Sequence, residues 1–414
     1  MSKTEKLISN RNDIFFTWFI VCCGGVGAMN LAKLAPSMGR LIDYFHISLF
    51  TSGLLGAIFS SLTLSTGLIG GIIISKYGPR LAMLIGLLIS FVGCLVPVLR
   101  PELAGLMIGR ALEGYGFLLI NLSAPVLLSL HTASQNRGRV MGVWGSFMPA
   151  GNAVIILIAP IIYLKSDWQL LWVASSVYTA GICLFAFFII PPETNQFQEA
   201  IKEKLSLIVL QTLKKTSLFV TGITFACHSL IFLGIMQFLP YYFQNIAGYS
   251  ETFSFLAAAS YCLISFLGHL FCGFLLHRGA QPEHLIGFAF ITAAFLVSLF
   301  FGMFDSFIPF AEQPMVRLIS IMFVAFFMGL TPPTIFYLVS YIAPPSRMTP
   351  INYGLMAQIQ AIGIFGGPFL FGWLVDITGG WVAIGAITMI MSICGITGGI
   401  IGTKIIFGNL NNQA

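Results

Sequence analysis

Residues 49–99 read LFTSGLLGAIFSSLTLSTGLIGGIIISKYGPRLAMLIGLLISFVGCLVPVL, and Lys76 and Arg80 are the only charges among them. A helix needs about 20 mostly apolar residues to cross roughly 30 Å of hydrocarbon. The stretches on either side of Lys76 and Arg80 are each of about that length. A short basic turn with a Gly78-Pro79 break joins them. The direct reading is two antiparallel membrane helices.

Working outward, the same pattern recurs along all 414 residues, of which 57% are hydrophobic and 8% charged. An ordinary globular protein carries about a quarter charged residues. So few charges cannot cover a soluble surface of this size, which excludes a soluble enzyme, a nucleic-acid binder and a disordered scaffold. Outer-membrane barrels show short alternating segments, whereas these runs are long and unbroken. Charged or Pro/Gly breaks delimit twelve expected spans, near 14–37, 49–75, 80–99, 103–129, 138–163, 170–190, 216–245, 252–276, 284–304, 315–341, 351–375 and 381–405.

The longest polar insertion, Pro191 to Thr216, contains Glu193, Glu199, Lys202, Glu203, Lys204, Lys214 and Lys215. It predicts a six-helix bundle at 1–190, a cytoplasmic linker at 191–215 with a surface helix, and a second bundle at 216–414. Lys3, Lys6 and Arg11 precede Ile14–Leu34 without an A-x-A cleavage pattern, which reads as a retained first helix. All eight cysteines (Cys22, Cys23, Cys94, Cys183, Cys227, Cys262, Cys272, Cys394) fall inside expected spans without a C-x-x-C pair. Packing, not a disulfide framework or zinc site, is expected of them.

Basic residues test the count, because they concentrate on the cytoplasmic side. With both termini inside, that side holds Lys3, Lys6, Arg11, Lys76, Arg80, Arg137, Arg139, Lys202, Lys204, Lys214, Lys215, Arg278, Arg347 and Lys404, which is 14 of 20. Arg40, Arg100, Lys165 and the boundary residue Arg317 lie opposite, and Lys33 and Arg110 lie within spans. The formal charge of +6 thus reports orientation more than an anionic partner.

The halves echo each other, as parallel six-helix repeats do. Gly71 and Lys76 match Gly273 and Arg278 at an offset of 202 residues, Pro125 matches Pro333 at 208, and Gly142 and Gly151 match Gly354 and Gly363 at 212. The turn Gly71-Ile-Ile-Ile-Ser75-Lys76-Tyr-Gly78-Pro-Arg80 resembles the signature loop of the major facilitator superfamily, with Ser75 where that family usually has an aspartate. Arg110-Ala-Leu-Glu-Gly114-Tyr-Gly116 is similar to its intramembrane arginine and G-x-G pair. Trp168-Gln-Leu-Leu-Trp172 and Pro191-Pro192-Glu193 resemble the start and end of its sixth helix. Gly109–Pro125, together with Gly142–Gly151 and Trp168–Trp172, looks like the cyanate-permease-like branch of anion porters.

The resemblance implies an all-α membrane protein, twelve helices in two six-helix pseudo-repeats of the major facilitator fold, acting by rocker-switch alternating access. It implies gating residues at Gly71, Ser75, Lys76, Gly78, Arg80, Gly273 and Arg278.

A charge at the bilayer centre costs about 2.5–3.5 kcal/mol on insertion scales, so each intramembrane charge calls for a reason. Counting from the expected span ends puts Lys33 and Arg110 roughly 6 and 10 Å below the outer boundary, at 1.5 Å per residue. Two cations there favour an anionic substrate. Glu113, three residues from Arg110, either neutralises it on a shared helix face or carries a proton. His228, near the middle of the seventh span, is either a second proton carrier or a bonded core histidine. Asn30, Asn121, Asn152, Gln237, Tyr241 and Gln358 complete the candidate substrate-binding set. The breaks Pro149-Ala150-Gly151 and Gly366-Gly367-Pro368 are candidate bending points.

No G-x-x-x-x-G-K-[ST] loop, metal-ligand spacing or nucleophile motif is present in the sequence, so neither a cofactor, a metal nor a catalytic residue is expected. The leading expectation is uptake or exchange of a small organic or inorganic anion, driven by a proton or counter-substrate gradient. A proton-driven drug or metabolite exporter and a non-transporting membrane sensor are the alternatives. Expected partners are membrane lipid and a small-molecule substrate, not nucleic acid. A monomer in a bacterial inner membrane is expected, with both termini cytoplasmic.

Overall fold

A computed structural model describes residues 3–131, 140, 143–164, 166–192, 205–308, 312–342 and 349–411. Gly142, the bases Arg137, Arg139, Lys165, Lys202, Lys204 and Arg347, and the linker acids Glu193, Glu199 and Glu203 lie outside the described residues.

Among the described residues twelve helices are long and apolar enough to span a membrane. They are span 1 (Ile14–Phe45), span 2 (Leu49–Tyr77), span 3 (Pro79–Leu99), span 4 (Leu103–His131), span 5 (Val143–Tyr163) and span 6 (Trp168–Ile189). Span 7 (Thr216–Ile246), span 8 (Glu251–His277), span 9 (Pro282–Phe300), span 10 (Pro314–Val339), span 11 (Pro350–Thr378) and span 12 (Val382–Gly408) follow. With twelve spans running alternately up and down, the starts of spans 1 and 7 and the ends of spans 6 and 12 fall on one face, the terminal face; the opposite one is the far face. A short helix, Leu205–Leu213, lies in the linker, and Thr212 Oγ1 donates to Asn352 Oδ1 of span 11 at 2.9 Å.

Local chemistry sets the helix ends. Ser48 and Ser250 cap spans 2 and 8, accepting from Thr51 N and Phe253 N. The two caps are 202 residues apart, the offset of the Gly71/Gly273 pair, so the repeat reaches down to a hydroxyl satisfying an orphan N–H. In the turn after span 2, Gly78 takes φ 92°, which an L side chain resists, and Pro79 opens span 3 where no N–H is needed.

Span 1 is longer than expected. Arg40 suggested an end near residue 37, but the helix resumes after a turn at Lys33 and runs to Phe45. Pro36 causes the turn, having no N–H for the Ala32 carbonyl. Lys33 is therefore 12 residues from the far end, about 18 Å at 1.5 Å per residue, and not the expected 6 Å. In span 7 Pro240 sits at the matching place, followed by a π-helical segment Tyr242–Ile246.

Spans 4 and 7 are the most enclosed and spans 6 and 12 the least. Span 3 shows why it is peripheral: Leu81, Ile85, Leu88 and Val92, spaced as one helix face, are exposed where lipid lies. The halves meet chiefly where span 2 runs along span 11 and span 5 along span 8. Small residues permit this closeness, since lipid offers no hydrophobic drive between helices. A Cβ at Gly53 would stand 2.3 Å from the Pro368 carbonyl oxygen, and one at Gly71 2.5 Å from that of Pro350.

Candidate functional site

Four spans deliver polar side chains to one buried point. Lys33 and Asn30 come from span 1, Arg110 and Glu113 from span 4, Cys94 from span 3, and the Trp172 ring from span 6. None of the four polar or charged residues from spans 1 and 4 is more than 1% exposed, and Cys94 and Trp172 are wholly buried.

Glu113 is the centre. Lys33 Nζ donates to its Oε1 at 2.7 Å and Arg110 Nη1 to its Oε2 at 2.7 Å. Lys33 Nζ also donates to Asn30 Oδ1 at 3.0 Å and Cys94 Sγ at 3.3 Å, and lies 4.7 Å from the Trp172 ring centroid. Cys94 Sγ donates to Asn30 Oδ1 at 3.2 Å. Every acceptor here faces a cation or thiol, while Asn30 Nδ2 has no hydrogen-bond partner.

Arg110 is engaged differently. Arg110 reaches carbonyls of span 1 beside the turn at Lys33. Its Nη1 bonds the Asn30 carbonyl, its Nη2 the Leu31 carbonyl at 3.4 Å, and its Nε the Leu55 carbonyl of span 2 at 3.4 Å. Phe59 covers the guanidinium, 4.7 Å from its ring centroid. The same side chain thus pairs Glu113 and fastens the break in span 1. The cluster holds two cations and one carboxylate, one positive charge in surplus.

The other candidates lie apart. Gln237 Nε2 donates to the Ser52 carbonyl at 3.2 Å, and Gln358 Oε1 accepts from Leu68 N at 2.9 Å. Both tie spans of the second half to span 2. Gln237 stands three residues before Pro240 as Lys33 stands three before Pro36, so the repeat replaces a cation by a neutral amide. Asn152 Nδ2 lies 3.2 Å from Met236 Sδ; turned end for end, its amide reaches the Ala28 carbonyl at 2.9 Å. Asn121 and Tyr241 are half-buried, away from the cluster. His228 stacks on Phe232 at 5.6 Å, and Phe232 on Tyr261 at 4.8 Å; neither His228 Nδ1 nor the Tyr261 hydroxyl has a hydrogen-bond partner.

Of the gating candidates, Gly71 lies at the span 2–span 11 contact and Gly78 turns the chain. Arg80 Nη2 donates to the Phe187 carbonyl at 3.1 Å, holding span 3 to the end of span 6. Lys76 is exposed, 5.1 Å from the Tyr77 ring, and Ser75 Oγ is buried without a partner. The repeat matches Gly273 to Gly71, which stands at a close helix contact. Gly273 is exposed, with open space around it, and Arg278 lies over Phe274 of its own helix. The close approach along span 8 falls instead at Gly268, against Phe326.

Sequence reading missed three partners. Cys94 gave no signal, being one apolar-seeming residue 61 positions from Lys33. Trp172 stood out only as part of a motif. The far-face contacts were missed entirely: Arg40 Nη2 donates to Glu251 Oε1 at 3.0 Å, and Phe50 N at the start of span 2 donates to Asp376 Oδ2 of span 11 at 2.9 Å. Each joins one half of the chain to the other.

The sequence profile of the Major Facilitator Superfamily matches residues 17–368. Over 374 residues the chain is 22% identical to the hexuronate transporter of Bacillus subtilis (strain 168), covering 87% of each protein. An uncharacterized transporter of Buchnera aphidicola subsp. Baizongia pistaciae is 23% identical over 73% of this chain and 76% of its own length. Another, from Buchnera aphidicola subsp. Schizaphis graminum, is 27% identical over 38% of this chain, which spans only 39% of that relative. Among solved structures, the proton:xylose symporter XylE bound to 6-bromo-6-deoxy-D-glucose superposes with a TM-score of 0.76 over 96% of both chains, at 14% identity. That likeness is one of fold.

Proposed function

Because this chain belongs to the Major Facilitator Superfamily, whose members are membrane transporters and not enzymes, we propose that it is a secondary transporter of a small anion. The observation that carries the reading is the surplus cation: Lys33 and Arg110, both wholly buried, share the single carboxylate of Glu113. An unmatched buried charge is costly, and an anionic solute is the ligand that removes that cost. Asn30 Nδ2, buried and without an acceptor, is the neutral donor beside it. Lys33 and Asn30 thus form a pair of donors suited to a carboxylate or similar oxyanion. The relative named as a hexuronate transporter points the same way, since a hexuronate is a sugar acid.

In this reading Lys33 exchanges Glu113 for the solute, and Glu113 takes a proton as it lets go. Arg110 contributes positive charge while bonding the Leu55, Asn30 and Leu31 carbonyls and Glu113. The bundles at 1–190 and 216–414 rock about the 191–215 linker, exposing the site to each face in turn. His228 is the alternative proton carrier, and Asn121, Asn152, Gln237, Tyr241 and Gln358 are the remaining candidates for contact with solute. Ser75, Lys76 and Arg80 remain gate candidates of the terminal face. The 14-to-4 split of basic residues supports cytoplasmic termini, a bacterial inner membrane fits the Buchnera and Bacillus relatives, and a monomer suffices.

The test is uptake into proteoliposomes of mono- and dicarboxylates, a hexuronate, cyanate and amphipathic cations, with and without a pH gradient. Anion uptake that a proton gradient accelerates and Lys33→Ala abolishes is expected. Movement of cations alone, unaffected by Lys33→Ala, would overturn the anion reading.

A second reading has its own observation. Aromatic rings cluster within each half: Phe117 lies against Phe59 and Phe147 in the first, and Phe225 against Phe336 and His228, with His228 stacked on Phe232, in the second. A proton-driven exporter of drugs or metabolites would use such aromatic surfaces, and the amphipathic-cation arm of the same assay detects it.

A further inference from the structure

Lys33 and Arg110 bring two positive charges to the buried cluster and Glu113 one negative, and none of the three is exposed. Among the described residues, the groups packed around Glu113 leave that balance unchanged. Span 3 adds the Cys94 thiol, span 2 the Phe59 ring and the Leu55 carbonyl, and span 6 the Trp172 ring. Span 11 meets span 4 around Leu118, Leu122 and Ala357, where Tyr115 and Tyr353 add phenols and no charge.

Each oxygen of Glu113 faces one cation, Lys33 at Oε1 and Arg110 at Oε2, both at 2.7 Å. A solute anion that draws Lys33 off Oε1 leaves Arg110 on Oε2. With one negative charge on the solute, the loaded cluster is neutral and Glu113 stays ionised. A proton added to it would again leave a buried cation unmatched, which is costly. With two negative charges on the solute the balance reverses. An ionised Glu113 would then leave a buried anion unmatched, and a proton taken from water onto its freed Oε1 restores neutrality. Opposite charge nearby favours the ionised carboxyl and like charge the protonated one, so the solute's charge sets the state of Glu113.

We infer that the charge of the solute decides whether a proton travels with it: a singly charged anion crosses alone, a doubly charged anion with one proton on Glu113. The inference rests on the reading of Lys33 and Arg110 as the solute-binding charges, and it makes the proton step there conditional. Release reverses the transfer, since Lys33 returns to Oε1 and the proton goes back to water. The empty site then recrosses the membrane with its one surplus cation. A neutral loaded step and a positive empty step together move one negative charge per cycle, whatever the solute's valence. A second anion on the release side fills the site before it recrosses, so exchange between anions of equal charge moves no net charge.

Reversal potentials of the wild-type protein in proteoliposomes, at equal pH on both sides, read this charge directly. Potassium with valinomycin sets the voltage. Glucuronate and succinate serve as the singly and doubly charged probes, at a pH where both are fully ionised. For either one, a tenfold solute gradient is expected to be balanced by about 59 mV, the value for one charge. A lumenal pH dye is expected to report protons arriving with succinate and none with glucuronate. Glucuronate flux that no voltage balances would mean that a proton accompanies it. A balance at about 30 mV would mean that succinate crosses without one. Either result overturns the inference. Glu113→Gln, which leaves both cations unmatched at every pH, is expected to move the succinate balance to about 30 mV and to abolish the dye signal. An unchanged balance in that variant overturns the inference as well. Should Glu113→Gln not fold, the wild-type balance points decide by themselves. Where glucuronate or succinate does not enter, another mono- or dicarboxylate of the uptake assay replaces it. If anions of one charge alone enter, their balance point decides. Uptake of no anion at all overturns the anion reading itself.

Discussion

Lys33 Nζ and Glu113 Oε1 stand 2.7 Å apart, 80 residues distant in sequence, with neither side chain exposed. Arg110 occupies the other oxygen of the same carboxylate. The consequences of that shared acid can be ranked and measured.

Removing Glu113 leaves two cations buried without a counter-charge, whereas removing Lys33 leaves a matched Arg110–Glu113 pair. Breaking a buried ion pair costs about 3–5 kcal/mol, and replacing buried charge by a well-packed apolar group is often neutral. Glu113→Ala is therefore expected to lower the melting temperature in detergent most, Arg110→Ala next and Lys33→Met least. The reverse order would show that the surplus charge is matched elsewhere.

Asn30→Asp places a permanent anion where Lys33 and Cys94 already donate to Oδ1. The amide nitrogen it removes has no partner to lose. Thermal stability should rise and anion uptake should vanish, since the cluster is then neutral without solute. Wild-type uptake by this variant would refute the surplus-charge argument.

Span 2 touches span 11 through glycine, so a methyl group at Gly53 or Gly71 meets a carbonyl oxygen of the other half. Gly53→Ala and Gly71→Ala are each expected to cost about 1–3 kcal/mol and to slow uptake. Gly273→Ala, at an exposed position, should melt and transport like the parent. Thermal shift and initial uptake rates of the three variants decide it.

At the far face Arg40–Glu251 and Asp376–Phe50 N each bridge the halves. Asp376 sits at the N-terminus of span 2, where a carboxylate meets unpaired N–H groups and the positive helix end. Glu251→Gln and Asp376→Asn should each raise the maleimide labelling rate of a cysteine placed at the buried Ser52, and the double variant should raise it further. Unchanged labelling in the double variant would mean that these contacts do not hold the face closed.

Much of the fold is legible in the chain because each membrane helix announces itself locally. Span ends came within a few residues where Ser, Pro or Gly marks them, as at Ser48, Pro79 and Pro282. The far end of span 1 was misjudged because Arg40 looks like a boundary when its partner is unknown. Gly273 matches Gly71 in the repeat yet is exposed, because a repeat in sequence says nothing about whether a neighbouring helix arrives. The intramembrane charges were identifiable individually; their sharing of one acid was not, beyond the i, i+3 spacing of Arg110 and Glu113.

The sequence alone determined a twelve-helix membrane protein and the short list of charges requiring explanation. Hydrophobic run length, capping residues and charge sidedness are local quantities, and a bilayer reads them one helix at a time. Tertiary structure alone decided that Lys33, Asn30, Cys94, Arg110 and Glu113 form one cluster, and that Arg40 reaches Glu251 across the halves. Those contacts depend on how far each helix is kinked, tilted and turned. Packing between helices sets these angles, and so does the one donor that Pro36 lacks.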